Sequence, residues 1–149
     1  MNTTDSIAPI SHMGTLAALR SLAHGSTDSM ENMLQAASRQ ARLLRGLLPN
    51  PIRQLPARLT SLIPSVVTER VADIPVSGML FWANRQWHIH VRSTDPLDTQ
   101  AVTVLHQLKH IIDHPLRRSV ALSDAEWETL ADHFVQQVLA YEPSEVSTS

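Results

Sequence analysis

Residues Gly78 to His114 read GMLFWANRQWHIHVRSTDPLDTQAVTVLHQLKHIIDH, and the hydrophobic period changes inside this stretch. Its first part holds two runs rich in aromatic and β-branched residues, Gly78 to Ala83 and Trp87 to Arg92, on either side of Asn84-Arg85-Gln86. Two such runs joined by a short turn predict a β-hairpin over about 78–92. Alternation along the second run sets Trp87, Ile89 and Val91 on one face and His88 and His90 on the other. Two strand histidines on one face suit metal ligation, although a solvated or hydrogen-bonded face is the commoner arrangement. From Pro96 the period becomes helical, with Leu97, Ala101, Val104, Leu105, Leu108, Ile111 and Ile112 recurring at three- and four-residue steps. Asp95 before Pro96 reads as an N-cap followed by proline at the first helical position, and Pro115 stops the pattern, so one helix is predicted over about 96–114.

The flanking sequence continues the pattern on both sides. Ser123-Asp-Ala-Glu126 is a capping box that opens a helix over about 124–141 ahead of Pro143, with Trp127, Leu130, Ala131, Phe134 and Val138 as its apolar stripe. Toward the N-terminus, Met13 to Ala23 and Ser29 to Leu48 read as two helices, the second capped by Asp28 or Ser29 and broken by Pro49-Asn50-Pro51. The Arg39, Arg42, Arg45 row on that second helix reads first as a solvated face and second as a partner-binding stripe. Pro56 to Ile63 reads as a short helix and Val66 to Val71 as a strand. The expected fold is α+β and mostly helical, a short antiparallel sheet packed on helices. Its expected parts are a disordered arm over 1–12, an N-terminal helical region over 13–50, a domain over 51–143 and a polar tail over 144–149.

Composition limits the chemistry. The chain has 149 residues, 43% apolar and 17% charged, enough to bury a core without covalent staples. A formal charge of -2 offers no electrostatic footprint for a phosphate backbone or an anionic membrane, so no direct nucleic-acid contact is expected. The absence of cysteine excludes disulfides, thiolate catalysis and Cys-based zinc sites, leaving the eight histidines and the carboxylates as metal ligands. The four glycines form no phosphate-binding loop, and no serine sits in a nucleophile elbow. With no apolar run of about 18 residues and no basic, apolar start, a cytoplasmic protein without a membrane segment is expected.

His106 and His110 project away from the core stripe of the predicted 96–114 helix, with Thr103, Gln107 and His114 beside them. An HxxxH spacing puts two imidazoles one turn apart, where both can bind one tetrahedral ion. Alone the spacing is weak, because eight histidines in a chain of this length produce about 0.4 such pairs by chance.

The surrounding residues are more specific. Thr103-Val-Leu-His-Gln-Leu-Lys-His-Ile-Ile-Asp-His114, preceded by the hairpin ending Ile89-His-Val-Arg92 and followed by Glu128-Thr-Leu-Ala-Asp-His-Phe134, resembles the ImmA/IrrE family of zincin-like metallopeptidases. In that family a glycine-led hairpin leads to a T-x-x-H-E-x-G-H-x-x-x-H helix, and the next helix carries E-x-x-A-[ND]-x-F-A and ends at a proline. The similarity runs from about Leu55 to Pro143, with specific motifs only after Gly78. It implies that His106, His110 and Glu128 bind one Zn²⁺. Read without the resemblance, Glu128 lies at the edge of its helix's apolar stripe, where a salt bridge to Lys or Arg is the alternative.

The departures shape the functional expectation. In H-E-x-x-H enzymes the glutamate takes a proton from the zinc-bound water, and here that position is Gln107, an amide that cannot take it near neutral pH. Losing a positioned base costs about 10² to 10⁴ in rate. Lys109 stands where the family has glycine and is expected to extend outward. Asp113 projects away from the site and His133 is assigned to the surface. His114 matches the family's additional histidine, a group supporting a ligand or an occasional ligand, and reads equally well as a histidine closing the helix C-terminus. Thr103 reads as a structural hydroxyl near the site. The resemblance thus implies a degenerate metallopeptidase-like protein, a pseudoenzyme that binds metal and acts by binding a protein partner. In the family that partner is often a helix-turn-helix repressor of the same phage or mobile element. The alternatives are an active or weakly active zinc endopeptidase, and a metal-free interaction module on the same scaffold.

Overall fold

A computed structural model of the chain describes residues 14–48 and 52–140. The arm over 1–12, the Pro49 to Pro51 break, Tyr141, the stop at Pro143 and the tail over 144–149 lie outside the described residues. Helix α1 covers 14–21 and closes in a turn where Gly25 takes φ +78°. Helix α2 (Met30–Arg45) starts at Ser29, whose Oγ accepts the Asn32 backbone N–H at 3.0 Å. After a 3₁₀ turn at Ile52–Gln54 come α3 (Leu55–Leu62), β1 (Val66–Val71), β2 (Gly78–Ala83), β3 (Gln86–Arg92), α4 (Leu97–Asp113), a second 3₁₀ turn at His114–Arg118, and α5 (Asp124–Ala140).

The architecture is α+β, mostly helical with one small sheet. The predicted hairpin forms: Ala83 pairs with Gln86 across Asn84 and Arg85, whose φ angles of 55° and 62° are those of a two-residue type I′ turn. β1 joins the other side of β3 in parallel, Val66 opposite Trp87 and Val71 opposite Arg92, so the sheet is mixed, in the order β1-β3-β2. Ile89 and Val91 are buried in one cluster with Val104, Leu105, Leu108, Phe134 and Val138. Leu19, Ala37, Ala41 and Leu44 of α1 and α2 belong to the same cluster, so the N-terminal helices are built into the core they share with the sheet and α4.

Local signals decide the helix starts. The capping box at α5 is complete: Glu126 N–H donates to Ser123 Oγ at 3.1 Å, and Ser123 N–H donates to Glu126 Oε1 at 2.9 Å. At α4 the expected Asp95 cap is replaced. Pro96 occupies the cap position with ψ 153°, and the Asp95 carboxylate instead accepts from Arg92 Nε at 3.0 Å. The extended Pro96 moves the first helical residue to Leu97, and Asp95 is claimed by the cation at the end of β3.

Lys109 and His133 also depart from expectation. Lys109 is 2% exposed, and its ammonium donates to Asp113 Oδ1 at 2.6 Å and Gln40 Oε1 at 2.7 Å. α4 is enclosed by α5, α3 and the sheet, and side chains of α1 and α2 reach its remaining face at Ile111 and Lys109, so the face that lacks apolar residues at 109 and 113 is buried as well. A hydrophobic stripe reports only the apolar part of such an interior. His133 Nε2 lies 2.8 Å from Ser38 Oγ, a part-buried hydrogen bond between α5 and α2.

Candidate metal centre

The one strip of α4 left partly open carries Thr103, His106, Gln107 and His110. β2 meets it at Gly78, where a side chain would overlap the Thr103 methyl and crowd the His90 carbonyl. This gives the glycine at the head of the hairpin its reason: it lets the strand lie directly on the turn of α4 that precedes His106 and Gln107. Thr103 is thus a packing residue at this contact.

α5 runs beside α4 and brings Glu128 between the two imidazoles. Glu128 Oε1 is 2.7 Å from His106 Nε2 and Oε2 is 2.9 Å from His110 Nε2. The rings sit edge to face with centroids 5.0 Å apart. Each of the three residues offers a ligand atom, all within 4.8 Å of one another, and among the described residues they form the one such group of three. Behind His106, Asp132 Oδ1 lies 3.3 Å from Nδ1, placed to orient the ring. Glu128 and Asp132 are one turn apart on α5, as His106 and His110 are on α4, so two i,i+4 pairs face each other. Asp132 is absent from the candidates drawn from sequence; that matching spacing is the signal that finds it. Arg117, in the turn between the helices, has no comparable signal.

The electrostatics suit a cation. Burial holds the His110 imidazole below its usual range, with His106 adding to the effect and Glu128 opposing it, so the ring favours the neutral form a ligand needs. His110 Nε2 is buried and, despite its closeness to Glu128, lacks a well-aligned hydrogen bond. Partial burial works to raise the Glu128 carboxyl, but attraction to both imidazoles and the His106 hydrogen bond outweigh it and hold the carboxyl below its usual range. Zinc–ligand bonds of about 2.0 to 2.2 Å put tetrahedral donor atoms about 3.3 Å apart. The two carboxylate–imidazole distances are about 0.4 to 0.6 Å shorter than that, so the group could hold a metal ion after the side chains spread by that amount. Two imidazoles and one carboxylate favour a first-row transition metal over calcium or magnesium.

A pocket of about 280 Å³ opens beside the group, lined by Leu80, Gln107, His110, His114, Arg117 and Glu128. Gln107 therefore faces the same space as two of the three ligand candidates. His114 stands on its rim with its ring edge-on to Trp87, centroids 4.9 Å apart, outside the group of three. Arg117 lies over Trp127 at 5.3 Å and donates to Asp124 Oδ1 at 3.1 Å. On the other side of His114 a larger pocket, about 520 Å³, is walled by Arg20, Trp82, Trp87 and Pro115. Among the described residues no helix is long and apolar enough to cross a membrane. No family model, curated protein or solved structure matches this chain.

Proposed function

We propose that the chain is a metal-binding pseudoenzyme of the zincin-like type, similar to the ImmA/IrrE metallopeptidases, which holds one Zn²⁺ through His106, His110 and Glu128 and acts by binding a protein partner. One observation carries the reading. A carboxylate from α5 sits across two imidazoles one turn apart on α4, beside an open pocket, and the side chain between those imidazoles in sequence is Gln107. When bound, zinc supplies a Lewis-acidic centre with a position open to a water or a partner's donor atom.

The chain's own residues limit the chemistry at that centre. His110, kept neutral by burial, and His106, oriented by Asp132, present lone pairs to the ion, while Glu128 supplies the negative charge. The Gln107 amide can hydrogen-bond a molecule in the pocket but cannot remove its proton. Among the described residues lining the pocket, Glu128 is the one carboxylate, and ligation occupies it. Little or no proteolysis is the consequence. The resemblance extends the proposal to a cytoplasmic protein whose partner is a helix-turn-helix regulator of a phage or mobile element.

A metal-free interaction module is the second reading, favoured by one fact: Glu128 already lies within ion-pair distance of both imidazoles, so its charge is met without an ion. Elemental analysis with native mass spectrometry separates the two. The proposal expects one zinc per chain in the wild type and none in the His106→Ala, His110→Ala double variant, with Gln107→Ala still loading. A wild-type chain that takes up no metal after zinc addition leaves only the metal-free module. Appreciable peptidase activity in the zinc-loaded wild type, absent in the double variant, would refute the pseudoenzyme assignment.

A further inference from the structure

We propose that the pocket beside His110 is a carboxylate-binding site, in which Arg117 and His114 hold a carboxylate of a bound polypeptide on the side facing the metal group. The metal's share in this contact rests on the proposed zinc site; the contribution of Arg117 and His114 does not.

The lining chemistry selects the ligand. Leu80 closes one wall and Gln107 offers an amide, while Glu128 is committed to His106 and His110. Arg117 is the lining residue with a permanent charge not matched inside the pocket. Its partner Asp124 is 96% exposed, and a pair so open to water is weak and readily exchanged. Trp127, itself 2% exposed, provides a fixed platform under the guanidinium. The planar fork lies over Trp127 with donors beyond the single bond to Asp124, as a grip on a carboxylate through two parallel hydrogen bonds requires. His114, packed edge-on against Trp87, also lines the pocket and brings a second donor, a ring nitrogen, to it.

Charge balance favours a monoanion. Glu128 and Asp132 together neutralise a divalent ion, which leaves the single charge of Arg117, shared in the free protein with the exposed Asp124 and attracted by Asp113, for a ligand that displaces Asp124. A carboxylate matches it, whereas a phosphate dianion would bring a second negative charge close to Glu128. The pocket across His114, walled by Trp82, Trp87 and Pro115, gives an apolar neighbour of the carboxylate a place to lie. Two sources share this chemistry: the terminal carboxylate of a chain and an Asp or Glu side chain.

Titration of the full chain, followed by NMR at the Arg117 Nε–H and the His114 ring, tests the site with and without zinc. The probes are acetate, N-acetylphenylalanine, its amide, and N-acetylaspartate with its α-carboxyl amidated. Carboxylate probes should give saturable shifts at both residues, and the neutral amide none. Stronger binding of N-acetylphenylalanine identifies a chain terminus, stronger binding of the aspartate probe a side chain, and either supports the proposal. Arg117→Gln should weaken binding about tenfold or more, and Arg117→Lys, which keeps the charge but loses the fork, should recover only part. Metal content of each variant is measured alongside. If the wild type takes up no zinc, the metal reading has failed, and shifts in the metal-free chain then decide the carboxylate site alone. The proposal is overturned if carboxylates bind neither form, or bind as well to Arg117→Gln as to the wild type.

Discussion

α4 carries two polar clusters on adjoining faces, built with the same spacing and opposite in character. On one side His106 and His110 meet Glu128 and Asp132 at the surface, with the Glu128 side chain 55% exposed. On the other, Lys109 and Asp113 meet Gln40 in the interior, both nearly inaccessible. The interior cluster brings its own cation. Lys109 spans Asp113 and Gln40, and Gln40 passes a hydrogen bond to the Leu19 carbonyl at 2.9 Å. Arg20 closes the end of α4 by donating to the Ile111 carbonyl at 2.6 Å. The surface cluster has two carboxylates and two imidazoles with no fixed cation among them. Polar residues at i,i+4 thus mean a fastening where the charges balance from within and a candidate ligand site where they do not.

The largest expected effect tests the fastening. Asp113→Ala strands the Lys109 ammonium in a site that water cannot reach, and losing one partner of a buried pair costs about 3 to 5 kcal/mol. Denaturant unfolding of the variant measures it. Replacing both partners with apolar residues, as in Lys109→Met with Asp113→Leu, should recover much of the loss. A cost for Asp113→Ala below about 1 kcal/mol, no more than for an exposed pair, would dissolve the contrast between the clusters.

The fold was legible wherever one short signal decides an element. The capping box placed α5, the turn placed the hairpin, and the apolar stripe placed α4. Proline placed the end of α4 but misled at its start, because Asp95 is taken by Arg92. The parallel pairing of β1 with β3 was not legible, since it depends on how the whole connection packs. Lys109 failed for a related reason: a lone lysine reads as solvated until α1 and α2 are known to cover that side of α4. At the site, the spacing supplied His106 and His110, and the family pattern supplied Glu128. The pattern includes Asp132 without giving it a task.

Asp132 therefore sharpens the surface half of the comparison, at a smaller scale. Asp132→Asn keeps the shape of the side chain but removes the charge that orients His106, and losing such a supporting carboxylate weakens metal binding about 10- to 100-fold. Competition with a chromophoric zinc chelator reads this directly. The variant should still load one ion per chain at saturation, unlike His106→Ala or Glu128→Ala. Unchanged affinity would reduce Asp132 to an ordinary surface charge near a histidine.

The smallest expected effect is the response to acid. Burial lowers the His110 pKa, so as pH falls through the ordinary imidazole value of about 6.5 the unfolded chain takes up a proton that the folded chain refuses. Stability from this group is present above that value and is lost as pH falls toward the folded pKa. Glu128, held below its usual range, stays ionised over this window and adds no slope until lower pH. Metal-free protein should therefore unfold more easily at pH 5.5 than at pH 7.5, and a His110→Gln variant should show a shallower dependence. With zinc present the wild-type dependence should steepen, because protons then compete with the ion for the imidazoles. Asp113 also works to raise the His110 pKa from the adjoining face, so an Asp113→Asn chain should keep the His110 slope between those pH values, slightly steepened, even as its overall stability drops. If that substitution removed the slope, the two sides of α4 would be titrating as one unit and the separation of fastening from ligand site would fail.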